Sequence, residues 1–194
     1  IKKINIKVPK SSKYIINFYK IIGSKSENIP PELRRNFRAI LKIDYKFGGS
    51  CTYNAKIRQN GDWRDHIDEE SGLRSLKINL KDGNILNAVR FKLLLPVTRG
   101  NFNEILGSII LKELGFISPE TFHVNVEING SKGLMLFQED TQKELLEKNK
   151  RTEGPIFEGD ESLLWARKKF TSEYEKVLLA RIVNQKWFFK NESS

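Results

Sequence analysis

One cysteine and two histidines among 194 residues exclude several chemistries at once. Cys51 alone cannot form an internal disulfide, and with His66 and His123 well separated in the chain it argues against a structural zinc site. Neither histidine has a nucleophile at a suggestive spacing, and no serine stands in a Gly-x-Ser-x-Gly turn, so no hydrolase is indicated. No apolar run approaches the roughly 18 to 20 residues of a membrane span. The chain opens on Ile1 without a charged-then-apolar leader, so any targeting segment is expected to have been removed or to lie outside this sequence, and the compartment stays open.

Acidic residues are in deficit. Twenty-four Asp and Glu face 34 Lys and Arg, a net charge of +10, which attracts phosphates, nucleic acid, anionic lipid or acidic polypeptide through its long-range field. The cations are spread along the chain without the aromatic-glycine sequence of a single-strand reader, so the charge reads as a solvating surface with a preference for anionic partners. With 39% hydrophobic and 30% charged residues, the chain reads as soluble and globular, able to bury one good core or two small lobes.

The most informative stretch runs from Phe102 to Glu139. Phe102, Ile105, Leu106, Ile109 and Ile110 recur at helical spacing and predict an amphipathic helix ending at Gly115, with Glu113 in the same core-facing stripe. A carboxylate there must be paired, be protonated, or sit where the helix leaves the core. Phe122, Val124, Val126 and Ile128 then alternate with polar residues as a half-buried strand. Asn129-Gly130 is a tight-turn signal, and Gly133 to Phe137 is the return strand.

Before this stretch the pattern predicts a strand over Ile4 to Val8 and a short helix carrying Tyr14, Ile15, Phe18, Tyr19 and Ile22 up to Gly23, followed by an exposed connection through Pro30-Pro31. Further strands are expected at Asn36 to Asp44, Tyr53 to Ile57, Leu73 to Leu80 and Ala88 to Leu95, the last with Arg90 and Lys92 outward. Arg58-Gln59-Asn60-Gly61-Asp62 reads either as an ordinary turn or as a loop able to cradle phosphate. Lys77 stands mid-strand on the polar side, as a fixed cation for an anionic ligand or as a lysine protecting a sheet edge. Late in the chain, Glu158, Asp160 and Glu161 could join a metal site or form a solvated loop that caps a helix. Ser172 to Trp187 predicts a helix. Trp63, Trp165 and Trp187 could stack on a base or pack in a core.

The order of these segments resembles the amino-terminal part of the CotH-like atypical kinases, named for spore coat protein H, in an uncharacterised bacterial branch. The likeness lies in a hairpin leading into Ala55-Lys56-Ile57-Arg58-Gln59-Asn60-Gly61-Asp62, the strand Ser75-Leu76-Lys77-Ile78-Asn79-Leu80, and the helix ending Leu111-Lys112-Glu113-Leu114-Gly115-Phe116. It continues in Val124 to Gly130 followed by Leu134-Met135-Leu136-Phe137-Gln138-Glu139, and in Lys150-Arg151-Thr152-Glu153-Gly154-Pro155-Ile156.

The resemblance implies an α+β fold: a twisted antiparallel sheet with one packed helix, as in a protein-kinase small lobe, plus a C-terminal helical segment. It divides the chain into an N-terminal strand, helix and linker at 1–35, the small lobe at 36–150, and at 151–194 the start of a truncated helical lobe. It implies ATP and Mg²⁺ as cofactors and a protein or other hydroxyl acceptor as substrate. Lys77 would bind nucleotide phosphates near Arg58, Asn60 and Gly61, and Gln138 and Glu139 would lie beside the adenine. Glu113 or Glu104 would orient Lys77, as an ion pair does in kinases. An extracytoplasmic or cell-surface location would also agree with the family. Three departures accompany the likeness. Gln59 replaces a glycine, Thr98-Arg99-Gly100-Asn101 replaces an Asp-containing cap, and the acids of a catalytic lobe have no recognisable home. The alternative is a non-catalytic basic module for an anionic polymer: acidic protein, polysaccharide or nucleic acid.

Overall fold

Alternating short apolar segments require a surface on which one face of every strand can be buried. The computed structural model, which describes residues 1–24, 26–160 and 179–184, meets that need by closing the sheet on itself. Its strands are β1 (Lys3–Lys7), β2 (Phe37–Asp44), β3 (Ser50–Gln59), β4 (Ile67–Asp68), β5 (Leu73–Arg74) and β6 (Leu76–Leu80), then β7 (Arg90–Leu94), β8 (Thr121–Ile128), β9 (Ser131–Glu139), β10 (Phe157–Asp160) and β11 (Leu179–Ile182). Seven of them form a closed barrel in the order β1-β2-β3-β6-β7-β9-β8. Closure comes from β1, antiparallel to β2 and parallel to β8. Two units divide the chain at Ile1–Asp140 and Thr141–Ser194.

The first unit holds the barrel. Ile4, Leu41, Ile43, Ile57, Leu76 and Ile78 are fully buried in its interior with Phe91, Leu93, Met135 and Phe137. Phe137 stacks between Phe91 and Phe122, at 4.7 Å between centroids on each side. The Asn129-Gly130 turn takes the positive φ values that its residue types favour, 47° and 102°. The same asparagine also fixes the end of β1. Its Oδ1 accepts from Val8 N at 2.8 Å, its Nδ2 donates to Val8 O at 3.3 Å, and its own N–H donates to Ile6 O.

Helix α1 (Ser11–Gly23) covers one side of this unit by burying Tyr14, Asn17, Phe18 and Ile21. Arg74 holds it there. This guanidinium is 1% exposed, donates to Tyr14 Oη at 3.1 Å and Asn17 Oδ1 at 2.9 Å, and lies 4.0 Å from the Tyr14 ring centroid.

The expected fold class is corrected here. The first unit is a closed β-barrel with short helices rather than a kinase-like small lobe built on a sheet with a packed helix. The reason lies in helix α2 (Asn103–Glu113). Its apolar stripe was expected to enter a core, yet Leu106 is 57% and Ile109 52% exposed, and Ser108 is the buried residue of the helix. A barrel closed by β1 fills its interior with its own side chains and leaves no open sheet face for that stripe.

In the second unit, α3 (Lys143–Lys148) precedes the antiparallel pair β10–β11. Asn184 ties this pair to the chain before it, accepting from Ile156 N and donating to Gly154 O, both at 2.8 Å. The helix expected over Ser172 to Trp187 is also corrected: Leu179–Ile182 is strand, and residues 172–178 and 185–187 lie outside the described residues. Trp165, Trp187 and Glu161 lie outside them as well. Among the described residues no helix is long and apolar enough to cross a membrane.

Candidate functional site

Lys77 lies in β6, between β3 and β7 in a closed sheet. It is therefore no edge lysine. Its cross-strand neighbours are Arg58 on β3 and Lys92 on β7, and Lys92 in turn faces Gln138 on β9. Residues between these positions, such as Ile57, Ile78, Phe91 and Phe137, point into the core. The period-2 alternation of strands thus places Arg58, Lys77, Lys92 and Gln138 in one row on the outer wall.

At the end of β9 the chain contributes Asp140, two residues beyond Gln138 and on the same face. Its side chain is only 4% exposed. Lys77 Nζ lies 2.8 Å from its Oδ2 and Lys92 Nζ 3.7 Å from its Oδ1. Its backbone N–H continues the ladder by donating to Arg90 O at 3.0 Å. One carboxylate set between two ammonium groups fixes both lysines, and because two positive charges face one negative charge the cluster keeps a net positive charge. Exposed Arg58 adds another. Such an arrangement can hold a multiply charged anion against a preorganised surface.

The helix glutamates are elsewhere. Glu104 accepts from Gln138 Nε2 at 3.2 Å and sits 3.7 Å from Arg99 Nε. Glu113 is exposed at the end of α2. Among the described residues the carboxylate that pairs with Lys77 is Asp140. Gln138 is on the outer wall near Lys92, whereas Glu139 turns inward and is 2% exposed. Its Oε2 accepts from Glu120 N at 3.0 Å.

The loop after β3 is built around His66 and not around an open cradle. Gln59 is buried and its Nε2 donates to Asn60 O at 2.9 Å. The Asn60 N–H is used by Ser75 O at 2.9 Å. Gly61 has φ +86°, and a Cβ added to it would overlap the His66 ring. The glycine is thus required by a histidine packed against it. Within this loop region Arg58 stands in the cation row, while Asn60 bonds to Ser75 and Gly61 packs against His66.

His66 is 7% exposed, with Nδ1 2.9 Å from Ser75 Oγ, and Ser75 Oγ also accepts from Leu95 N at 3.0 Å. Burial lowers the His66 pKa below its ordinary 6.5, opposed by Asp65 and reinforced by Arg99. In the second unit, Glu158 and Asp160 lie in β10, in register with Arg181 and Leu179. Among the described residues no group of three His, Cys, Asp or Glu side chains is placed to hold a metal ion.

Sequence reasoning singled out Lys77 and Arg58 but missed Asp140 as the partner of Lys77. The signal was present in the period of β9, since residues 138 and 140 share a face. What was not legible was the register that sets β9 beside β7 and β7 beside β6. Compared with models of known protein families and with curated proteins, the sequence matches none.

Proposed function

We propose that the first unit binds the phosphates of a nucleoside triphosphate on its outer wall, as the nucleotide-binding part of an ATP-dependent phosphotransferase of the CotH-like kind, on a barrel scaffold. The observation that carries this reading is the Lys77–Asp140–Lys92 cluster beside Arg58. Lys77 and Lys92 are oriented by a buried carboxylate, so their ammonium groups need little reorganisation on meeting phosphate oxygens. Arg58, in register with Lys77, offers a planar fork suited to two oxygens at once.

In transfer to a hydroxyl acceptor, the bond between the γ-phosphorus and the ADP oxygen breaks, a bond to the acceptor oxygen forms, and the hydroxyl proton leaves to solvent. The part assigned to these residues is to bind the phosphates and offset their charge. Asp140 has its two oxygens toward two ammonium groups, which fits a counter-ion and does not fit a Mg²⁺ ligand. No step is therefore routed through a metal at this cluster.

Calorimetric titration of the protein with ATP and Mg²⁺ tests the reading. The wild type is expected to bind, and Lys77→Ala to weaken binding by about tenfold or more, about 1.4 kcal/mol. Undetectable binding by the wild type, or an unchanged affinity in Lys77→Ala, would reject it.

A further inference from the structure

Five cations border a cleft of about 830 Å³ on the side of the first unit that carries α1. Lys10, Lys13 and Lys20 come from this helix and its entry, and Arg35 and Arg38 from the start of β2. Pro9, Ile16, Leu33 and Phe37 supply apolar lining, with buried Asn17 among them. A second hollow of about 420 Å³ shares Pro9 and Arg38 and adds Lys56 and Lys81. Strand register explains the continuity, because Arg38 on β2 lies directly opposite Lys56 on β3.

All seven cations are exposed. Among the described residues no carboxylate lines either hollow. Among the described residues none of the seven pairs with a carboxylate, whereas Lys3, Arg34, Arg64 and Lys112 do so elsewhere in this unit. Under the cleft, Asn17 connects to the buried Arg74, whose guanidinium has no carboxylate partner among the described residues. Charge of one sign is therefore gathered in a concavity from its rim and from beneath. Self-repulsion makes this unfavourable for the free protein and favourable once a polyanion enters.

We infer that the double hollow docks an extended acidic polypeptide segment, its carboxylates on the cationic rim and its apolar side chains against Pro9, Ile16 and Leu33. The lining favours this occupant over a nucleic-acid strand. Strand binding without sequence preference relies on aromatic platforms for the bases. Among the described residues the one aromatic in either lining is Phe37, half-buried and edge-on to Tyr14 at 5.3 Å. None of these lining residues belongs to the Lys77 cluster, although Lys56 shares the outer face of β3 with Arg58, so the two surfaces are tested by separate variants.

The test uses the whole chain and a fluorescein-labelled peptide of repeated Glu-Glu-Leu, with labelled oligothymidylate of equal charge as the competitor class. Fluorescence anisotropy should show peptide binding that weakens as salt rises. The triple variant Lys13→Glu, Arg35→Glu, Arg38→Glu should lose about tenfold or more in affinity. The milder pair Lys10→Gln, Lys20→Gln should lose less, and Lys77→Ala should bind the peptide as the wild type does. Circular dichroism of each variant verifies its fold. Tighter binding of oligothymidylate than of peptide, failure of the wild type to bind peptide, or wild-type affinity in both cleft variants would overturn the proposal. Loss of ATP binding with peptide binding intact would strike only the nucleotide reading.

Discussion

His66 shows how one side chain can set a loop. The Gln59-Asn60-Gly61 turn has the composition of a phosphate cradle, but its amide and glycine are committed to this ring and to Ser75. Burial lowers the His66 pKa, so the folded protein resists a proton that the unfolded chain accepts near 6.5. This histidine's contribution to stability is complete above that value. It falls as pH drops below 6.5 toward the lower folded pKa. Thermal unfolding midpoints measured from about pH 7 to about pH 5 should decline in the wild type and decline less in His66→Gln. Equal slopes would place the acid sensitivity in other groups.

Among the elements, α1 and α2 meet different fates. Both carry apolar residues at helical spacing. Helix α1 meets the barrel through Tyr14, Phe18 and Ile21, because Arg74 emerges from the short strand β5 directly beneath it. Helix α2 touches β8 and β9 through polar and edge contacts: Ser108 donates to Thr121 Oγ1 at 3.0 Å, and Phe102 lies edge-on to His123 at 4.9 Å. A spacing rule registers the stripe but not the surface that will receive it. Arg74→Ala would orphan the Tyr14 hydroxyl and the Asn17 carbonyl and open a void. It should cost about 3 kcal/mol in urea unfolding. Arg74→Met keeps most of the volume without a buried charge and should cost less. An equal loss in both variants would show that hydrogen bonding, and not packing, holds the helix.

On the scale of the molecule, closure is the decisive feature. A barrel has no free strand edge, and β1 is bonded on both sides, to β2 and to β8. Hydrogen-exchange mass spectrometry should find the amides of Lys3 to Lys7 protected to the same degree as those of β6 or β7. Fast exchange in β1 alone would mean that the barrel opens at the β1–β8 seam. The same closure sets the outer wall, where Arg58, Lys77 and Lys92 come from three strands spread over 35 residues of sequence, yet form one row.

Local pattern was sufficient for the seven strands of the barrel, the helices α1 and α2 and the Asn129-Gly130 turn, because period and turn chemistry act over a few neighbouring residues. It was also sufficient to single out Lys77 as a cation in mid-strand. Tertiary structure decided the rest. The parallel pairing of β1 with β8 joins segments more than 120 residues apart, and no local propensity encodes it. That pairing closed the sheet and left the stripe of α2 exposed, while the neighbouring order β6-β7-β9 set Asp140 at the end of β9, rather than a helix glutamate, beside Lys77. Lys77 was legible as a charge; its partner depended on which strands lie side by side.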